Sequence, residues 1–286
     1  VTLTRLKEVV WLKTVELIPS EQPKVPIEAE GISPDNFAGK SIEDIKKIEV
    51  WRGNRQKKLG DLFKVSGESG ASAGETSIVI KGDVPTAKRI GQGMTAGEII
   101  IKGKVGMHVG AMMKGGKIIV EGDADHWAGA EMQAGELHIK GNAGNYLGAA
   151  YRGSYEGMTR LEKGIFGTII VEGNAGSEVA SRMADGKVVV KGNIGPFAGL
   201  NMSGGEIVIY GDAQERAGAE MTKGKIIILG KVSELLPTFK FEEEVPELDL
   251  DGQKVKGPFL RFSGDLSEEG KGSIYISKDK NPHIKI

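Results

Sequence analysis

The chain has 286 residues, no cysteine, and 38 basic against 39 acidic side chains, for a net charge of -1. The missing thiols exclude disulfides, a cysteine nucleophile and thiolate-held zinc or iron–sulfur clusters of the chain's own. The near-neutral charge, with no basic patch interleaved with aromatics, argues against nucleic acid. No apolar run reaches the roughly 18 residues of a membrane span. Forty-three glycines far exceed the usual share.

In chain order, residues 1–73 are non-repetitive. They show no signal-peptide layout, so a cytoplasmic location is expected. Residues 41–48 are predicted to form a short helix with Ser41 as N-cap. Strands are predicted near 48–51 and 62–65. From about residue 74 to 232 a nineteen-residue clock takes over. Gly97, Gly116 and Gly135 keep it, as do Gly167, Gly186, Gly205 and Gly224 after one interruption. A second glycine follows each by six positions, from Gly103 to Gly230, with an aliphatic run such as Ile99-Ile100-Ile101 between. A fixed period with one β-branched run per unit is the mark of stacked repeats, each of which buries a core only against its neighbours. Nineteen residues are too few for a strand, a full helix and turns. The expected fold is therefore an all-β, right-handed parallel β-helix of about eight coils. A small N-terminal α/β cap (1–73) and a C-terminal cap and tail (233–286) flank it, because open β edges invite aggregation.

Strand alternation assigns the faces. Ile99/Ile101, Ile118/Val120, Leu137/Ile139, Ile169/Val171, Val188/Val190 and Ile207/Ile209 are expected to point inward. Met94, Met113, Met132, Met183, Met202 and Met221 form a second inward stack, with Tyr151 in the fourth place; methionine suits irregular core space. Asp123, Asn142, Asn174, Asn193 and Asp212 read as local turn formers. Charges before and after each aliphatic run alternate in sign from coil to coil, as in-register stacking requires. The middle residue of each run (Val79, Ile100, Ile119, His138, Ile170, Val189, Val208, Ile227) points outward. This aliphatic stripe must be covered by the chain's own flanks or by a partner.

Candidate chemistry is sparse. Glycines at Gly91-Gln92-Gly93 and Gly141–Gly144 recur as corners and open no helix, so they are not phosphate loops. His108 and His126 lie in adjacent coils near Asp123 and Asp125 without a clean three-ligand cluster. No acid pair suits glycoside hydrolysis. No catalytic, cofactor-binding or metal residue is assigned. Interface candidates are the row Trp127, Tyr146 and Phe197, which His108 precedes, and the insertion at 154–166 with Tyr155, Arg160 and Lys163. Aromatics and arginines favour interfaces, and insertions on repeat arrays protrude.

Several stretches carry a family resemblance: Val50-Trp51-x-Gly53-Asn54 with Leu59-Gly60-Asp61-Leu62-Phe63, Ile90-Gly91-Gln92-Gly93-Met94, Val105-Gly106-Met107-His108-Val109-Gly110-Ala111, Trp127-Ala128-Gly129-Ala130-Glu131-Met132, Gly148-Ala149-Ala150-Tyr151-Arg152-Gly153 and Leu235-Leu236-Pro237-Thr238-Phe239. Over about residues 48–240 the chain resembles the C subunit of tungsten- and molybdenum-dependent formylmethanofuran dehydrogenases. Related repeats occur in the C-terminal domain of glutamate synthase, whose amidotransferase and flavin barrel these residues do not contain. The resemblance implies a non-catalytic scaffold in the cytoplasmic oxidoreductase complex that reduces CO2 to formyl-methanofuran in methanogenic archaea. Its partners would be molybdopterin, amidohydrolase-like and ferredoxin-like subunits in a hetero-oligomer. Molybdopterin (with tungsten or molybdenum) and iron–sulfur clusters would sit in those partners, and no cofactor in this chain. The C subunit of a formyltransferase/hydrolase complex is an alternative reading, and a stand-alone glycan-active β-helix a second.

Overall fold

The structure, a computed structural model, describes residues 12–20, 24–151 and 167–286. The chain opens with β1 (Lys13–Pro19) and β2 (Ile27–Glu28), then two short helices, α1 (Pro34–Phe37) and α2 (Ile42–Lys46). The Ser41 hydroxyl accepts the Asp44 N–H at 3.2 Å and so caps α2, as the sequence predicts. A hairpin of β3 (Glu49–Arg52) and β4 (Arg55–Lys58) leads through α3 (Leu59–Leu62) into β5 (Phe63–Gly67). The repeats contribute β6 (Thr76–Ile80), a two-residue β7 (Ala87–Lys88), β8 (Glu98–Ile101), β9 (Lys114–Val120), β10 (Ala134–Ile139), β11 (Thr168–Val171), β12 (Lys187–Val190), β13 (Ser203–Ile209) and β14 (Lys223–Ile228). A long hairpin, β15 (Lys240–Leu250) and β16 (Gln253–Gly264), and the closing strand β17 (Gly272–Ser277) complete the fold.

Thirteen of these strands form one sheet, ordered β15-β16-β17-β14-β13-β12-β11-β10-β9-β8-β6-β1-β5. The run from β1 to β17 is parallel throughout, and both ends are closed by antiparallel strands. A small sheet, β4-β3-β2-β7, lies beside it. The expectation of a right-handed parallel β-helix is therefore corrected. The architecture is a 13-stranded mixed sheet with few helices, and, apart from the two-residue β7, the other side of the repeats supplies no strand among the described residues. It supplies one bridged residue per repeat: Val84, Val105, Ala124, Ala143, Ala175, Ile194, Ala213 and Val232, each paired in parallel with the next.

The reason lies in the backbone. Between the bridged residue and the next strand, φ is positive at two or three alternate positions, as at His108, Gly110 and Met112 (63°, 66° and 55°). A strand needs consecutive extended residues, and this alternation denies them.

Within the aliphatic column the register is strict, and the shifts between Ala134 and Glu136 and between Ser203 and Glu206 lie just before it. Ile78, Ile99, Ile118, Leu137, Ile169, Val188, Ile207, Ile226 and Ile274 are successive partners, all fully buried. The six inward methionines are buried alongside. Ion pairs run across the strands on the outer face, with Lys102 and Lys140 both on Glu121 (3.1 and 3.5 Å), Lys117 on Glu136 (2.8 Å), and Lys187 and Lys225 on Glu206 (2.8 and 2.7 Å).

The Asp/Asn column does more than turn the chain locally. Each side-chain oxygen accepts a backbone N–H of the following repeat: Asp123 Oδ1 from Asn142, Asn142 from Asn174, Asn174 from Asn193, Asn193 from Asp212 and Asp212 from Lys231, at 2.7–2.9 Å. The preceding glycine clears the space. A Cβ on Gly141 would sit 2.6 Å from Asp123 Oδ1 and 2.6 Å from the Gly122 carbonyl carbon.

The aliphatic outer stripe is covered at its C-terminal end by the chain itself. Leu248, Leu250 and Val255, at the tip of the β15–β16 hairpin, pack with Val189, Val208, Ile227 and Tyr275. Asp251 pairs with Lys187 at 2.5 Å beside them.

Two glycine variants separate close approach from backbone preference. Gly141→Ala is expected to lower stability by about 2–3 kcal/mol, since backbone and the Asp123 carboxylate must move. Gly93→Ala has a positive φ of 67° but nothing within 4 Å of its Cβ, so it should cost only about 1 kcal/mol. Urea midpoints of the two variants check the order, and equal losses would contradict it.

Candidate interaction surface

The left-handed positions form an outward row. Arg89, His108, Trp127, Tyr146, Glu178, Phe197 and Arg216 all have φ between 57° and 64°. Each of the first six donates its N–H to the carbonyl just before the next member (Met107, His126, Asn145, Ser177, Pro196 and Glu215), at 2.8–3.1 Å. The row is thus held by the backbone, one residue per repeat. Bulky residues at positive φ are strained relative to glycine, and such strain concentrates at functional positions.

Three consecutive members and one outsider make an aromatic cluster. Trp127 stacks on Tyr146 with ring centres 4.2 Å apart and planes 9° from parallel, and on His108 at 6.2 Å and 15°. Tyr151 lies across Trp127 at 5.0 Å and meets His108 Nδ1 through its hydroxyl at 2.7 Å. Its backbone N–H donates to the buried Glu131 carboxylate at 3.2 Å. Offset and tilted rings at these spacings are favourable beyond their burial.

Of the residues singled out in the sequence, Trp127 and Tyr146 come together. Phe197 stands apart, beyond Glu178, with the Arg216 guanidinium 5.6 Å from its ring. Tyr155, Arg160 and Lys163 lie outside the described residues. Tyr151 corrects the sequence expectation. It occupies a methionine place in the period, yet it is half-buried on the outside against His108 and Trp127. Its hydroxyl is the signal that could have told it from a core residue, because a phenol needs a polar partner. His126 is part of the scaffold, its Nδ1 accepting the Asn145 N–H at 2.9 Å. His138 interrupts the aliphatic stripe and bonds Glu172 at 2.9 Å. Among the described residues, no group of three or more His, Asp or Glu side chains is placed to hold a metal ion.

Burial pushes the His108 imidazole from its ordinary 6.5 down to about 4, with repulsion from Arg89 and Lys88 adding to it. The ring is therefore neutral at pH 7. Nδ1 and the Tyr151 hydroxyl share a 2.7 Å hydrogen bond whose direction follows the ring's tautomer. The row thus runs from Arg89 over three stacked rings to Glu178, Phe197 and Arg216.

The pH consequence has a definite sign. The unfolded chain takes up the His108 proton near 6.5 and the folded chain only near 4, so stability falls as pH drops through that window and levels off below it. His108→Gln should flatten this part of the profile, by on the order of 2 kcal/mol after allowance for a half-open site. Denaturant melts at about pH 7, above the window, and about pH 4.5, near its lower end, check it. An unchanged difference would count against a neutral His108.

Comparison with known proteins agrees with the repeat. The GXGXG motif family matches residues 85–247. The C subunit of the tungsten-containing formylmethanofuran dehydrogenase 2 of Methanothermobacter thermautotrophicus is 56% identical over 99 residues, covering 35% of this chain and 37% of that protein. The corresponding protein from Methanococcus maripaludis is 41% identical over 300 aligned positions, covering 91% of this chain and 95% of its own length. The alignment to the first of these relatives thus spans little more than a third of its length. A chain of the formyltransferase/hydrolase complex of Methylorubrum extorquens, solved with methylofuran, superposes with a TM-score of 0.77 at 28% identity, over 92% of this chain and 99% of that one. With its nineteen-residue glycine period and its likeness to a relative along almost the whole length, the chain belongs to the family of formylmethanofuran dehydrogenase C subunits.

Proposed function

We propose that this chain is a scaffold, itself without catalytic residues, within a tungsten- or molybdenum-dependent formylmethanofuran dehydrogenase. That complex would reduce CO2 to formyl-methanofuran, with this chain binding molybdopterin, amidohydrolase-like and ferredoxin-like subunits in the cytoplasm. Pterin and iron–sulfur clusters would sit in those partners. The observation that carries the reading is the 41% identity to the Methanococcus maripaludis protein along nearly its full length. The chain's own chemistry is in keeping with it: no cysteine, and charges engaged in cross-strand pairs. Residues 1–73 and 233–286 would cap the repeats of 74–232. Trp127, Tyr146 and Phe197, with Tyr155, Arg160 and Lys163 of the insertion, would contact a partner.

A second reading, the C subunit of a formyltransferase/hydrolase complex, rests on the superposition with the Methylorubrum extorquens complex. The lower identity there, 28% against 41%, favours the first.

Native mass spectrometry of the tagged full chain, recovered from its source cells, tests both. Partners bearing tungsten or molybdenum with iron support the dehydrogenase. A complex with formyl-transfer activity but without these metals supports the second reading. Purified alone, the chain is expected to hold no stoichiometric metal and to show no turnover. Replacing residues 154–166 by a short glycine linker together with Trp127→Ala should lower recovery of the complex at raised salt, while recovery at wild-type yield would remove this surface from the interface.

A further inference from the structure

The outer face of the main sheet is covered over one half and bare over the other. Its middle column runs Val79, Ile100, Ile119, His138, Ile170, Val189, Val208, Ile227 and Tyr275, each the register partner of the next. The tip of the β15–β16 hairpin packs with the last four. There Val208 and Ile227 are only 1% exposed. Val79, Ile100, Ile119 and Ile170 hold the same place in their own strands. Each of them stays partly exposed, and none joins an apolar cluster among the described residues. At about 4.8 Å between strands, the bare column is roughly 19 Å long from Val79 to Ile170, against roughly 14 Å under the hairpin.

Long charged side chains beside an aliphatic column shield it in part with their stems. Stems alone do not account for the covered half, which has such flanks too. Lys187, Glu206 and Lys225 border it as one ion-paired triad, and the chain still lays Leu248, Leu250 and Val255 on top. The hairpin also brings a carboxylate. Asp251 reaches Lys187, whose side chain is left 19% exposed. The bare half has a triad of the same composition on the other flank of the column, with Lys102 and Lys140 on Glu121. Those two lysines are 47% and 49% exposed.

We propose that the bare half, from Ile100 to Ile170, docks a β-hairpin of a partner protein that is built like this chain's own. Such a hairpin has apolar side chains at alternate positions, which gather on one face, and a carboxylate close to its turn. The apolar face covers Ile100, Ile119 and Ile170. The carboxylate joins Lys102 or Lys140 as Asp251 joins Lys187. Continuity with the cover that the chain lays over Val208 and Ile227 carries the inference, because an aliphatic column of this length is rarely left to water. The hairpin of a second copy is not the occupant, since it is engaged on its own sheet. This face is made by the strands and not by the left-handed row, and the inference is independent of which complex the chain joins.

The test uses the full chain with isotope-labelled isoleucine methyl groups, read by NMR. The probe is a cyclised hairpin peptide with the sequence of residues 246–257. Titration should shift the methyl signals of Ile100, Ile119 and Ile170 saturably and leave in place that of Ile227, which is already covered. Ile100→Thr with Ile119→Thr keeps β-branched side chains on the strands and should weaken binding by roughly tenfold or more. Wild-type positions of the Ile227 and Ile274 signals show that this double variant has folded. Lys102→Gln with Lys140→Gln should weaken binding and reduce its salt dependence. A peptide with serine in place of Leu248 and Leu250 should not bind. No saturable shift at Ile100 and Ile119, shifts confined to Ile227, or equal binding by the threonine variant would each overturn the proposal. So would shifts at Ile100 and Ile119 that follow the concentration of the chain alone, which would assign the face to a second copy.

Discussion

One hydrogen bond, repeated from coil to coil, sets the geometry of this protein: the oxygen of an Asp or Asn side chain accepting a backbone N–H of the next repeat. From Asp123 to Lys231 it recurs at 2.7–2.9 Å. It exists only because the residue before each acceptor's partner is glycine. A Cβ there would lie 2.4–2.6 Å from the oxygen it must admit. Glycine thus serves close approach as much as turning. The bond ties successive repeats together in the same phase as the aliphatic column, which also keeps its register from Ile99 to Ile118, where Lys104 stands in the ladder position.

The same regularity explains why the informative surface lies where it does. A backbone alternating between right- and left-handed residues cannot make a strand, but it can present one side chain per repeat from a fixed position. At most such positions a protein would place glycine. Here the left-handed row carries His108, Trp127, Tyr146 and Phe197. The same left-handed φ recurs two and four residues on, at Met112, Ala180 and Arg182 among others, so the conformation belongs to the repeat and the ring to the individual position. Tyr151, reaching back from the next corner, shows that part of this cluster is already covered by the chain itself.

Much of this is legible in the sequence, and the failures have physical causes. The period reveals the inward columns because burial constrains residue type at every repeat; Ile99, Ile118 and Val188 could not be polar. It does not reveal backbone sign. Gly110 announces a positive φ, but His108 and Met112 do not, and without them the stretch reads as extended. The expectation of a closed β-helix failed at that point. The Asp/Asn column was legible as a set of residues and not as a ladder, because a turn and an inter-repeat bond use the same side chains. The cover over Val208 and Ile227 was also written in the chain. Leu248 and Leu250 alternate with acids, as a half-buried strand does, but lie outside the period that draws attention first.

The interruption after Tyr151 has a further meaning. Across it Asn142 still accepts from Asn174 at 2.9 Å, and Ala143 still bridges Ala175 in parallel, at a separation of 32 residues instead of 19. The ladder reads neighbours in space and is blind to how much chain joins them. Lengthening a closed loop costs little, about 0.6 kcal/mol per doubling. At this corner, then, length and composition are uncoupled from the stability of the sheet. The number of residues between these two repeats can therefore change while the frame on either side keeps its bonds.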